Sequence, residues 1–209
     1  MPKKVDDVMK FSAFGGAAIA MSGVGAAQAD EDIGGFYGGL TFGNTISSSE
    51  FAGNGSEYFL DGTSLGGFVG YNFVNGDWIY GGELTYTNSI DATDDGFSFY
   101  SNNGLEGVLG IKARLGRTFG GGSSSFGSWF VYGTVGFVDA DARTPGNTTS
   151  SADGMTFGIG AETMLSDRMF MGVEVQRNNL DLAPSVPDNY VSNSNLDFTS
   201  VSLRVGFNF

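Results

Sequence analysis

From Gly34 to Phe209 the chain switches between two textures. Segments of about ten residues alternate apolar and polar side chains, and the stretches between them are rich in Gly, Ser, Asn and Asp. A period of two describes a β-strand with one apolar face and one polar face. Eight such segments occur. The first, GFYGGLTFG, aligns Phe36, Gly38, Leu40 and Phe42; the second, SLGGFVGYNF, aligns Leu65, Gly67, Val69, Tyr71 and Phe73. WIYGGELTY aligns Trp78, Tyr80, Gly82, Leu84 and Tyr86, and EGVLGIKARLG sets Leu109, Ile111, Ala113 and Leu115 against Lys112 and Arg114. WFVYGTVGFV is apolar on both faces, so its register is a choice: Trp129, Val131, Val135 and Phe137 are placed on the apolar side. GMTFGIGAETML, MFMGVEVQ and the terminal VSLRVGFNF complete the set. Val74–Asp77 and Leu165–Arg168 read as tight turns and Thr118–Gly127 as a looser Gly/Ser link, whereas 44–62, 88–103, 139–153 and 178–196 read as long polar loops. This alternation predicts an all-β, eight-stranded antiparallel up-and-down meander with both chain ends on the side of the short turns.

The polar faces decide which solvent each side meets. They carry mainly Gly, Ser and Thr with a few full charges, namely Glu83, Lys112, Arg114, Glu162, Glu174 and Arg204. A packed soluble core needs bulky side chains at native density. The confined lumen of an eight-stranded barrel instead suits small residues and mutually neutralising ions. The opposite faces are nearly free of charge, and only a closed barrel satisfies strand backbones in lipid. The segment length matches the roughly 9–11 residues of a tilted membrane strand. Aromatic residues sort by height: Phe36, Tyr71, Phe73, Trp78, Tyr80, Trp129 and Phe170 gather at the short-turn end, and Phe42, Tyr86, Phe137 and Phe157 lie toward the other. Two such belts are the girdles of a transmembrane β-barrel. The fold class is therefore a transmembrane β-barrel, with a soluble secreted β-protein as the competing reading.

Residues 1–29 carry Lys3, Lys4 and Lys10, then a small-residue apolar stretch, then Ala-Gln-Ala before Asp30. This pattern predicts a cleaved signal peptide, with residues 30–209 forming the barrel domain. Asp6 and Asp7 are unusual in such a leader, and Met9-Lys10 is a better start. The 209 residues include no Cys and no His. Disulfides, thiolate metal sites and His-based hydrolytic mechanisms are thereby excluded. The formal charge of -13 argues against nucleic acid as a partner. Acidic loop residues such as Glu50, Asp94, Asp95 and Asp188 make a solvated surface, or one that meets anionic lipopolysaccharide through diffuse divalent cations. DATDDG (Asp91–Gly96) resembles a calcium loop only superficially, since Thr93 replaces a ligand and position twelve is Asn102 rather than Glu. No metal or other cofactor is expected.

The segments GFYGGLTFG, GFVGYNF, YGGELTY and LRVGFNF, together with the leader and a last strand ending in Phe, resemble the small OmpA/OmpX-type outer-membrane barrels, and most of all the porin-family proteins of alphaproteobacteria. The resemblance covers roughly residues 34–209. It implies an outer-membrane location in a Gram-negative envelope, contact with lipid and lipopolysaccharide, and delivery by periplasmic chaperones. It also implies that Leu203, Val205, Phe207 and Phe209 form the signal read by the barrel-assembly machinery. The function expected is non-enzymatic and structural, with a small-solute channel or an adhesin as alternatives. Counted from the short turns, Glu83 shares a level with Lys112 and Arg114, and Glu162 and Glu174 share one with Arg204. These charges are read as a salt-bridged plug, or as a gate that exchanges partners.

Overall fold

A computed structural model describes residues 33–50, 57–88, 90–91, 104–119, 128–144, 148–182 and 195–209. The signal peptide read at residues 1–29 and the side chains of the calcium-like segment lie outside them. Among the described residues there are eight long strands and no helix: β1 (Gly35–Glu50), β2 (Glu57–Asn75), β3 (Trp78–Thr87), β4 (Gly104–Phe119), β5 (Trp129–Thr144), β6 (Thr148–Met164), β7 (Met169–Leu182) and β8 (Asn195–Asn208). The pair Ile90–Asp91 extends the β3 side by pairing with Leu105 and Gly104. Every strand pairs antiparallel with its sequence neighbours, and β1 pairs with β8, so the sheet closes into a ring.

Following partner to partner from Phe36 leads through Tyr71, Gly82, Ala113, Val135, Phe157, Arg177 and Thr199 back to β1 at Ile46, ten residues further on. Such a stagger tilts the strands by about 40° from the barrel axis. Because the offset is even, a residue facing outward meets another outward residue when the ring closes. The ladder runs to the final residue, where the Phe209 amide donates to the Phe36 carbonyl at 2.8 Å. The β2–β3 turn is two residues long and begins with Gly76, whose φ of 59° is left-handed.

The sides sort as the alternation requires. Leu40, Phe137 and Ile159 are 66%, 63% and 69% exposed on the outer wall, whereas Tyr37 and Phe130 are 1% and 0% exposed inside. In β5, Trp129, Val131, Val135 and Phe137 face outward; the strand is apolar on both faces because it also sends Phe130 and Tyr132 into the lumen. Phe36, Tyr71, Phe73 and Tyr80 form a continuous run of outward rings with centroid spacings of 4.7, 4.7 and 5.4 Å, and Trp78 and Trp129 are exposed at the same end. Phe170 departs from the sequence reading. Its height near the short turn placed it in the girdle, but Met169 and Met171 take the outward positions and Phe170 is buried in the lumen with Tyr37 and Phe68.

The strands also outrun the segments read from the sequence. The stretch 139–153, read as a loop, is mostly ladder: Asp139 pairs with Asp153 and Thr144 with Thr148. Hydrophobic alternation stops where lipid stops, but hydrogen bonding does not. Above that level polar Asp139, Asp141 and Asp153 face out while Ala140 and Ala152 face in.

Interior glycines make the narrow lumen packable. Tyr37 lies across Gly70, Tyr132 across Gly160 and Phe170 across Gly206, each its direct cross-strand partner. A Cβ added at any of these three glycines would stand 2.4 Å from the ring. Gly160→Ala is therefore expected to lower unfolding stability by about 1–3 kcal/mol through overpacking. Gly133→Ala, on the outer wall with its nearest neighbour at 3.8 Å, should be neutral. Urea unfolding of the two variants in lipid checks the contrast, and equal effects would contradict it.

Candidate functional site: a charged layer across the lumen

Six ionic side chains converge at mid-lumen, carried by five different strands. They are Glu83 from β3, Lys112 and Arg114 from β4, Glu162 from β6, Glu174 from β7 and Arg204 from β8. All six are at most 5% exposed. The inward parity of each strand aims them at the axis, and the small radius of an eight-stranded ring brings opposite walls within reach.

Arg204 is the hub. Its Nε donates to Glu162 Oε1 at 3.1 Å, and its Nη1 reaches Glu174 Oε2 at 2.8 Å and Glu83 Oε1 at 3.1 Å. Its Nη2 donates to Glu83 Oε2. Lys112 Nζ bridges Glu174 Oε1 at 2.7 Å and Glu83 Oε1 at 3.0 Å. Arg114 Nη2 donates to Glu162 Oε2 at 2.7 Å, and its Nη1 lies 3.4 Å from Glu83 Oε2. Three carboxylates face three cations, so the formal charge of the layer is zero. Charges withdrawn this far from water are tolerable only when paired and hydrogen-bonded.

The two levels inferred from the sequence are a single layer in the structure. Glu83 contacts Lys112, Arg114 and Arg204, so it joins the groups that counting from the turns had separated. The counting treated each strand as upright, whereas the ten-residue stagger and contacts straight across the lumen merge the levels.

Two members were not singled out from the sequence. The Tyr37 hydroxyl donates to Glu83 Oε2 at 2.9 Å. The Tyr132 hydroxyl lies 2.9 Å from Glu162 Oε1 and 3.1 Å from Glu174 Oε2. Rings also cover the cations. The Arg114 guanidinium sits 4.1 Å from the Tyr132 centroid and 5.0 Å from those of Tyr37 and Phe130, and Arg204 sits 3.9 Å above Phe68. Contacts of this kind stabilise a desolvated cation further. The available signal was a tyrosine at inward parity with a glycine directly opposite.

The surroundings of the layer differ on its two sides. Toward the short turns lie Tyr37, Phe68 and Phe170 with Met164, and Ile79, Phe130 and Tyr132 with Ile33 and Val74. Toward the long loops is a cavity of about 50 Å³ lined mostly by hydroxyl and amide side chains, among them Thr41, Ser64, Thr85, Thr156 and Gln176, with Lys112 on its wall and Val108, Val138 and Phe198 as its apolar part. All three carboxylates of the layer accept from cations or phenols, an arrangement suited to holding charge in place rather than to moving a proton to or from a substrate. At the closing seam, Leu203, Val205 and Phe207 face outward and Phe209 is 71% exposed.

Comparison with proteins of known structure shows the same architecture at low identity. Neisserial surface protein A aligns over 83% of this chain and 97% of its own, with a TM-score of 0.52 and 13% identity. The outer membrane protein OprG from Pseudomonas aeruginosa aligns over 84% and 96%, with a TM-score of 0.53 and 17% identity. The outer membrane protein AlkL, determined in DMPC bilayers, aligns over 90% and 96%, with a TM-score of 0.53 and 10% identity. No curated protein matches the chain by sequence. Residues 16–209 match the family described as the outer membrane protein β-barrel domain. With that match spanning the whole barrel, and an apolar outer wall around a charged lumen, this chain is a member of the outer membrane protein β-barrel domain family and a protein of the outer membrane.

Proposed function

We propose that this protein is a non-enzymatic, structural component of the outer membrane whose charged layer plugs the lumen. The observation that carries the reading is the neutral, fully interlocked set of Glu83, Lys112, Arg114, Glu162, Glu174 and Arg204 spanning the barrel. In an eight-stranded barrel side chains fill the interior, and here they do so with ions that leave none of their carboxylates spare. The outer wall meets lipid, the long-loop end faces outward to lipopolysaccharide, and the short turns face the periplasm, as in other barrels of this kind. Leu203, Val205, Phe207 and Phe209 serve as the signal for the assembly machinery, supported by their outward row at the closing seam and the ladder bond from Phe209 to Phe36. Phe36, Tyr71, Phe73, Trp78, Tyr80 and Trp129 anchor the periplasmic interface.

A channel is the second reading, and one observation favours it. Glu83 is shared by three cations, so its partners could be exchanged without leaving it bare. Planar-bilayer conductance of the purified protein separates the two: silence or rare flickers accord with a plug, and stable unitary openings would replace it with the channel.

The plug itself is tested by stability. Arg204→Ala leaves three buried carboxylates short of a partner and is expected to lower unfolding free energy by about 3–5 kcal/mol. Glu174→Gln in that background removes one stranded charge and should restore part of the loss. Urea titrations of the two single variants and the double variant give the coupling energy. Additive effects would reject a shared network.

A further inference from the structure

We infer that the lumen holds two seals in series with a wet chamber outside them, and that the aromatic layer under the ions blocks conduction by itself. The inference rests on the reading of the barrel as closed, and it adds to the charged layer a second closure made by residues outside the charged set.

The chamber has the chemistry of a water site. Its volume of about 50 Å³ exceeds the roughly 10–15 Å³ of probe-occupied space that one water requires. Its wall includes Thr156, which is 0% exposed and whose Oγ1 has no hydrogen-bond partner among the described residues. A buried hydroxyl without a partner is costly, and a cavity with polar wall groups and room for a water retains one. Lys112 faces the same space with two of its three N–H bonds engaged by Glu83 and Glu174, which leaves one donor for that water.

The other side of the layer is filled mainly by aromatic rings. Phe68 and Phe170 pack with Tyr37 at centroid spacings of 6.1 Å, and Phe130 stacks on Tyr132 at 5.0 Å. Arg114 lies against Tyr37, Phe130 and Tyr132, so the two ring groups meet on one guanidinium. The gap beside Tyr37, Phe130 and Phe170, whose wall also carries Asn72, Glu162, Thr163 and Asn208, is about 10 Å³, too small for a hydrated ion. An ion freed from the charged layer would therefore meet apolar rings, and a constriction of this kind stops conduction by excluding water.

Two measurements test this. The first is conductance of three variants shown to be folded by heat-modifiable gel mobility. Glu83→Ala with Arg204→Ala removes one charge of each sign and should remain as silent as the wild type. Phe68→Ala with Phe130→Ala and Phe170→Ala leaves the ions in place and should also be silent. All five substitutions together should gain unitary openings. Stable openings from the charge variant alone, or silence from the folded five-fold variant, would overturn the inference. Openings from the wild type would instead overturn the closed-barrel reading on which it rests. The second measurement needs no variant. In methyl-labelled, otherwise deuterated protein in lipid nanodiscs, the Thr156 methyl should show cross-relaxation to water and the Ile79 methyls should show none. Water at Ile79, or none at Thr156, would equally overturn it.

Discussion

A strand in hydrocarbon has nowhere to send its backbone N–H and C=O groups except to another strand. That constraint organises this molecule. It requires β1 to find β8 and an even offset that keeps inward and outward faces distinct around the seam, and with only eight strands the closed ring is one whose walls nearly touch. The narrow lumen then dictates its contents. Rings such as Tyr37, Tyr132 and Phe170 fit where the opposite strand offers glycine, and charges fit only where an opposite charge is within reach across the lumen. The Tyr37–Gly70 and Tyr132–Gly160 pairs and the Arg204 hub are separate answers to the same shortage of room.

The charged layer is better understood as a device of specificity than as a source of net stability. Bringing three carboxylates and three cations out of water costs a great deal, and the mutual attraction roughly offsets it. What the layer does is penalise every wrong register. A slip of one residue in β8 would send Arg204 into lipid and bring Leu203 or Val205 into the lumen, leaving Glu83, Glu162 and Glu174 without their shared partner. The rings around Arg114 and Arg204 impose the same test through shape.

The outer wall and the strand parity were legible in the sequence because lipid imposes a clean period of two. The register of Trp129 to Phe137 was not legible in this way, since that strand is apolar on both faces; the choice made agrees with the structure, where Phe130 and Tyr132 turn inward. Phe170 was misplaced because its height was weighed above its parity, although Met169 and Met171 already occupied the outward positions. The six charges could be named from their inward parity, but not their grouping, since the stagger and the cross-lumen reach are properties of the closed ring and of no single strand. Tyr37 and Tyr132 escaped notice because an inward aromatic looks like an exception to a small-residue face until its glycine partner is seen opposite. The strand extensions beyond the membrane were hidden where hydrophobic contrast fades and only hydrogen bonding continues.

The seam between β1 and β8 has a consequence in time as well as in space. Each hairpin ladder joins segments that are neighbours along the chain, but this one joins Tyr37 to Asn208 and Thr41 to Arg204, the most remote partners in the ring. Long-separation pairing carries the largest loop-closure cost and forms late. Until it forms, two greasy edges stand open at once, each a template for a stranger's strand. The interval before the last zip is thus the period in which the chain most needs an escort, and its length is governed by how soon one end meets the other.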